Sequence, residues 1–147
     1  MSYDARARGA DCDRCPLNAE RPVPPELRPG LPILIGEGPG EDEVSEGAPF
    51  VGKSGIELMR ALGAVGRRRQ HVSITNAVLC PFPEFKRNRL DALVTKENRR
   101  RKVAAEPALR HPIDCCRPRL MLDLADAAAG GSTVNVITLG GTALEGV

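Results

Sequence analysis

Three short apolar runs, set apart by stretches of helical periodicity, constrain this chain more than any other feature. Leu34-Ile35, with Ile33 at its edge, ends abruptly in Gly36-Glu37-Gly38-Pro39-Gly40. Residues 71–79 (HVSITNAVL) are β-branched and partly alternating and stop at Cys80-Pro81; residues 134–139 (VNVITL) run into Gly140-Gly141. Strands buried on both faces of a parallel sheet read in this way, because neither face tolerates a solvated side chain. Between the first two runs, residues 54–62 (SGIELMRAL) put Ile56, Met59 and Leu62 on one helical face, with Gly63 and Gly66 as stop signals. Residues 119–129 (RLMLDLADAAA) form another helical pattern, closed by Gly130-Gly131. Strand, helix, strand, helix, strand predicts an α/β sheet. A chain of 147 residues is long enough for one such core and too short for two.

The rest of the chain decorates that sheet. Residues 18–32 (NAERPVPPELRPGLP) hold five prolines and form an extended connector, since proline removes a backbone donor and restricts its predecessor. Residues 86–102 carry eight basic and two acidic side chains, partly helical over 90–101. Such a run is either a solvated helical face or a phosphate-contacting surface, and a net charge of only +2 does not decide between them. No segment resembles a signal peptide and no stretch approaches 18 uninterrupted apolar residues, so a cytosolic location without membrane contact is expected. In a reducing compartment, Cys12-x-x-Cys15, Cys80 and Cys115-Cys116 suggest a metal or cluster site rather than a disulfide framework. Four thiolates serve Zn²⁺ or a 4Fe-4S cluster equally well by count, and buried unliganded cysteines remain the alternative.

Residues 47–55 (GAPFVGKSG) match the phosphate-loop pattern G-x-x-x-x-G-K-[ST]. A phosphate loop joins a buried strand directly to a helix, so that the strand end aims the loop amides at the phosphates. Here the upstream strand ends more than ten residues earlier, and the intervening segment carries five carboxylates that would repel a triphosphate. No later strand ends in an Asp suited to Mg²⁺. The match is therefore read as accidental, and no nucleoside triphosphate is expected to bind. Simple glycine-permitted helix entry explains Gly52 and Gly55, with Lys53 solvated. It does not explain Phe50, one of three Phe in a chain with one Tyr and no Trp, placed where ligands of open α/β sheets collect. Phe82 and Phe85 are the other candidates for an exposed stacking aromatic.

Cys12-x-x-Cys15-Pro16-Leu17, Gly36-Glu37-Gly38-Pro39-Gly40-Glu41-Asp42-Glu43, Gly47-x-Pro49-Phe50-Val51-Gly52-Lys53-Ser54-Gly55, Ile74-Thr75-Asn76, Cys80 and Cys116-x-Pro118-x-Leu120 together resemble the iron-sulfur (family 4 type) uracil-DNA glycosylases. Leu139-Gly140-Gly141-Thr142-Ala143 is similar to that family's strand-then-G-x-x-A element. The module is also similar to glycosylase-like regions of some bacteriophage DNA polymerase-related proteins. The resemblance implies a three-layer α/β fold with a mostly parallel central sheet. It also implies a base-excision-repair hydrolase that cleaves the N-glycosidic bond of uracil in DNA, with neither Mg²⁺ nor ATP. A non-catalytic DNA-binding or cluster-binding module of a polymerase-related protein is the alternative.

Excision requires uracil to be flipped out, held against an apolar face and read along its Watson-Crick edge. By the resemblance Phe50 is the stacking platform, a buried core Phe being the plain alternative. Asn76 can donate its NH₂ to uracil O4 and accept from N3-H, a pattern that cytosine reverses; a turn-forming Asn is its plain alternative. Glu37 is assigned water positioning and stabilisation of the oxocarbenium-like sugar, with Glu43 supporting it. Gly38 and Gly40 let backbone amides approach the base, and Lys53 and Ser54 are expected to contact DNA. The resemblance favours a structural 4Fe-4S cluster on Cys12, Cys15, Cys80 and Cys116, leaving Cys115 as a free thiol. Such a cluster anchors the basic connector, residues 81–115, beside the base pocket, with Arg99, Arg100 and Arg101 on phosphates. The family continues through further sheet to a His-Pro-Ser motif, whereas this sequence has only His71 and His111, in other contexts, and ends at Val147. The reading is thus of one C-terminally incomplete domain, residues 1–147, expected to be a monomer but with an exposed sheet edge that invites dimerisation.

Overall fold

The computed structural model describes residues 3–82, 87–129 and 133–147. Its centre is β1 (Ile33–Gly36), buried at every position, with β2 (Ser73–Asn76) on one side and β3 (Val136–Thr138) on the other, both parallel to it. Because side chains alternate along a strand, β1 divides its apolar residues between two faces. Leu34 joins Val72 and Ile74 on one face, beneath Leu58, Met59 and Leu62 of α2 (Lys53–Ala64). Ile33 and Ile35 face the other way, against Leu120 and Ala127 of α4 (Pro112–Ala127) and Ala143 of α5 (Gly141–Gly146). Helix, sheet and helix make the three layers expected. Full burial of each Ile or Leu contributes roughly 1.5–3 kcal/mol, so this double-sided strand is the stability centre of the chain.

The order β2-β1-β3 makes β1 the strand at which the chain changes direction. The connection to β2 runs over the α2 face and the return to β3 over the α4 face, leaving a crevice at the carboxyl end of β1 where ligands of open α/β sheets bind.

Several elements differ from expectation, each for a local reason. Residues 41–46, part of the carboxylate-rich segment for which no helix was expected, form α1 (Glu41–Glu46). Glu43 reaches back to the Gly40 amide, and Gly47 closes the helix in the left-handed conformation at φ 69°. Helix α4 starts seven residues before the expected position, with His111 Nδ1 accepting from the Ile113 amide and Pro112 in the first turn. It runs through Pro118 because Ile113, Cys115, Cys116, Arg119 and Leu120 are all buried on its inner face. Strand β2 ends at Asn76, yet Ala77, Val78 and Leu79 stay buried as the chain runs on to the cysteines. The basic segment is α3 (Arg87–Val103), longer than expected at both ends. Phe85, Lys86 and the stop signal Gly130-Gly131 lie outside the described residues. On β3, Val136 and Ile137 are 43% and 45% exposed. No described helix is long and apolar enough to cross a membrane.

Candidate active site

Gly36 ends β1 and Asn76 ends β2, and the register sets them side by side. A Cβ at Gly36 would stand 2.5 Å from Asn76 Oδ1 and 2.5 and 2.7 Å from two ring carbons of Phe50. The missing side chain is therefore what lets an amide and an aromatic ring meet above the end of the central strand. Asn76 is 2% exposed, and Phe50 is half-buried, packed against the Leu34 face of the core while bordering an open cleft of about 960 Å³. Glu37, Gly38, Gly40, Lys53 and Ser54 line the same cleft, with Glu37, Lys53 and Ser54 solvent-exposed. Every base-pocket residue proposed from the sequence is thus brought to one place.

Two braces shape the loop that carries Phe50. Buried Glu43 accepts from the Gly40 amide at 3.0 Å through one carboxylate oxygen, and from the Val51 and Gly52 amides at 3.1 and 2.8 Å through the other. It ties the Gly36–Gly40 turn to the Pro49–Gly52 loop, so its role is to shape the cleft. The second brace is Arg69, whose guanidinium donates to the carbonyls of Pro49 and Phe50 and pairs with Glu26 at 2.6 Å. Phe50 sits at φ 53°, a left-handed backbone that costs a non-glycine residue about 1–3 kcal/mol. At Gly55 an added Cβ would collide with the Phe50 carbonyl, so only glycine lets α2 begin this close. Phe82 fills the equivalent space at Gly38, where a Cβ would lie 2.9 Å from its ring.

All five cysteines are free, and all line one cavity of about 310 Å³ with Leu17, Val78 and Leu79. Cys12 belongs to a 3-10 turn (Cys12–Arg14), Cys80 follows the buried extension of β2, and Cys115 and Cys116 lie in α4. Burial, then the neighbouring thiols, pushes Cys80 up to about 12, and burial raises Cys12 and Cys116 as well. A hydrogen bond from Cys115 holds the Cys15 thiol below its ordinary value, against burial and with help from the Leu17 amide; the Leu79 amide likewise donates toward Cys116. No three His, Cys, Asp or Glu side chains among the described residues are gathered closely enough to grip a single metal ion. Thiols lining one apolar-walled cavity are of the donor type that holds Zn²⁺ or an iron-sulfur cluster.

Sequence reasoning did not anticipate Arg119. Its side chain is fully buried and donates to Thr75 Oγ1 at 3.1 Å, Asp123 Oδ2 at 2.8 Å, Ala77 O at 3.0 Å and the carbonyl of Asn76. Asp123, also buried, accepts from Tyr3 Oη and from Arg8 Nε at 2.7 Å. One guanidinium thus holds the strand end that carries Asn76 against α4, one turn beyond Cys116. The signal was an Arg-x-x-x-Asp pair on an otherwise apolar helical face.

Arg99, Arg100 and Arg101 of α3 do not line the cleft. Its described residues pack through Leu90, Leu93 and Val94 along a groove shared with Pro16 and Leu17 of the cysteine arm. Arg100 pairs with Glu97 at 2.7 Å and Glu106 at 3.1 Å, and Arg101 with Glu97 at 3.3 Å; Arg99 is exposed.

Comparison with known proteins places this geometry. Residues 25–147 match the sequence model of the uracil DNA glycosylase superfamily. The chain is 37% identical over 118 residues to the type-4 uracil-DNA glycosylase of Pyrobaculum aerophilum, covering 78% of this chain and 55% of that protein. To the type-4 uracil-DNA glycosylase of Saccharolobus solfataricus it is 35% identical over 117 residues, covering 77% and 50%. To that of Thermotoga maritima it is 40% identical over 75 residues, covering 49% and 39%. The chain spans about half the length of the curated relatives it matches.

Proposed function

Because this chain belongs to the uracil-DNA glycosylase superfamily, we propose that it carries the base pocket of an enzyme hydrolysing the N-glycosidic bond of uracil in DNA. The observation that supports this most is the convergence of Asn76 Oδ1 and the Phe50 ring over the bare Cα of Gly36. A flipped pyrimidine entering the cleft lies with its face on Phe50 and its edge toward Asn76. The carboxamide accepts from N3-H and donates to O4; cytosine would set acceptor against acceptor and donor against donor, leaving buried groups unpaired. Glu37, exposed at the rim, holds the attacking water and faces the positive charge that develops on the sugar as the bond opens. Glu43 acts through the loops it ties, and the amides near Gly38 and Gly40 approach the base closely. Lys53 and Ser54, at the N-terminus of α2 on the same rim, take the phosphates flanking the flipped nucleotide. Arg99 offers a second phosphate contact farther out, while Arg100 and Arg101 would first have to leave Glu97 and Glu106.

Cys12, Cys15, Cys80 and Cys116 would hold a 4Fe-4S cluster, with the Leu17 and Leu79 amides supporting the sulfurs of Cys15 and Cys116. When bound, it supplies a covalent cross-link between the N-terminal arm, the extension of β2 and α4. Cys115 remains a thiol that donates to the Arg110 carbonyl at 3.8 Å.

The test is uracil release from a uracil-containing oligonucleotide by the full-length protein and by Asn76→Ala. The variant is expected to lose excision while binding the oligonucleotide as before; retained excision would remove Asn76 from its role. Oligonucleotide binding without excision by the parent protein would favour a non-catalytic DNA-binding module.

A further inference from the structure

The two groups proposed to hold uracil come from separate parts of the chain. Asn76 is fixed by the sheet, whereas Phe50 is on a loop whose backbone is in the left-handed region at φ 53°. A non-glycine residue stays there only when its surroundings over-determine it. The over-determination is visible: Arg69 donates to the Phe50 carbonyl at 3.0 Å and, with its other terminal nitrogen, to the Pro49 carbonyl. The remaining faces of the guanidinium are taken by Glu26, at 2.6 Å from Nη2 and 3.1–3.2 Å from Nε. Glu26 is itself anchored to the strand that carries the amide, because its backbone N–H and C=O both bond Ile74 at 2.8 Å, two residues before Asn76. Arg28 adds a contact to the Glu26 carboxylate at 3.2 Å and one to the Val72 carbonyl at 2.9 Å. A continuous chain of bonds therefore runs from the Phe50 backbone through Arg69 and Glu26 to β2.

We propose that Arg69, braced by Glu26, is a positioning residue that sets the distance between the Phe50 ring and the Asn76 amide, and so sets how tightly the flipped base is gripped. The inference rests on Phe50 as the stacking platform. Arg69 does not line the cleft, and it touches the base only through the residue it holds. A planar fork is required, since it makes two bonds to successive carbonyls and three to a carboxylate at once; lysine offers a single point charge.

The experiment uses the full-length protein and reads two quantities: the inhibition constant of free uracil, which reports the base pocket alone, and kcat on a uracil-containing oligonucleotide. Arg69→Gln is expected to raise the uracil inhibition constant about tenfold while kcat changes by less than about threefold. Glu26→Gln, which leaves Arg69 on the two carbonyls, is expected to move the same constant in the same direction by a smaller factor. Phe50→Leu supplies the cycle: if Arg69 acts through the ring, Arg69→Gln adds little to Phe50→Leu. Factors that multiply in the double variant overturn the proposal, as does a kcat loss with an unchanged inhibition constant. If Phe50→Leu alone leaves uracil inhibition unchanged, the stacking platform is what fails, and the positioning role falls with it.

Discussion

The buried guanidinium of Arg119 supports a quantitative forecast for Arg119→Met. Methionine fills similar volume without charge, so the change isolates the polar contacts. Four bonds are lost, to Thr75 Oγ1, Asp123 Oδ2, Asn76 O and Ala77 O. Asp123 keeps Tyr3 Oη and Arg8 Nε, so the cost of a wholly unpaired buried carboxylate is not incurred. The two carbonyls at the end of β2 lose this donor, and an unsatisfied buried carbonyl costs about 1–3 kcal/mol. Relief of the arginine's own desolvation returns part of that sum, while the broken buried pair raises it. The net is about 2–4 kcal/mol, set mainly by the two carbonyls; it lies below the figure of about 3–5 kcal/mol for a buried pair broken to leave a bare charge and above about 0–1 kcal/mol for an exposed pair. At this chain length each kcal/mol moves the melting temperature about 2–4 °C, so a fall of roughly 4–16 °C is expected. Urea titration by far-ultraviolet circular dichroism measures it, with the midpoint falling and the slope unchanged. A loss below about 1 kcal/mol would refute the reasoning, because Arg119 would then behave as a surface arginine does.

Gly36→Ala puts a methyl 2.5 Å from Asn76 Oδ1 and from the Phe50 ring; it should cost about 1–3 kcal/mol of stability and about 10²-fold in excision, as a displaced amide and ring would. Wild-type folding or near-normal excision would show that the ring and the amide do not converge in solution. Partial burial pushes Glu26 up, but its hydrogen bonds to Arg69 and Arg28 outweigh this and hold its carboxyl below the ordinary 4.5. A depressed carboxylate contributes stability that is complete above its unfolded value and disappears as pH falls through the folded one. Denaturation midpoints of the parent and Glu26→Gln should therefore differ by a constant amount above about pH 5 and converge below about pH 4; a difference that persists unchanged at pH 3 would contradict the pairing. Cys116→Ser, purified without oxygen, should lose its iron and sulfide, whereas Cys115→Ser should keep about four of each; the reverse would exchange the two residues in the ligand set.

What the sequence revealed and what it hid follow one physical division. The strands and α2 were legible because buried apolar side chains at periods of 2 and 3.6 are dictated by local geometry alone. Cys12-x-x-Cys15 and Phe50 stood out as a paired thiol and a scarce aromatic, whereas Asn76 was singled out through the family resemblance. Helix α1 was not, since EDEVSE has almost no apolar side chain and depends instead on Glu43 at its start and Gly47 at its end. The early start of α4 was hidden by Pro118, whose lost hydrogen bond is offset by a buried helix face. Arg119 and Asp123 were not singled out, because a charge is normally exposed and only a tertiary partner makes its burial tolerable. Arg69 was hidden for a related reason, as one of three consecutive arginines that nothing in the sequence distinguishes.

The same division explains the phosphate-loop match at residues 47–55. A loop that turns from one helix into the next beside a ligand cleft needs glycine where it leaves α1, at φ 69° on Gly47. It needs glycine again at Gly52, where a Cβ would stand 2.9 Å from Asp42 Oδ2 and 3.1 Å from Glu43 Oε1. A hydrophilic start to α2 at the cleft rim supplies Lys53 and Ser54. Those demands reproduce the pattern, but the loop is entered from α1 rather than from a strand, and the Val51 and Gly52 amides are given to the Glu43 carboxylate. The anion at this helix entrance is thus a side chain of the protein. Its position is what binds the Gly36–Gly40 turn to the Phe50 loop, and so gives the cleft both of its walls.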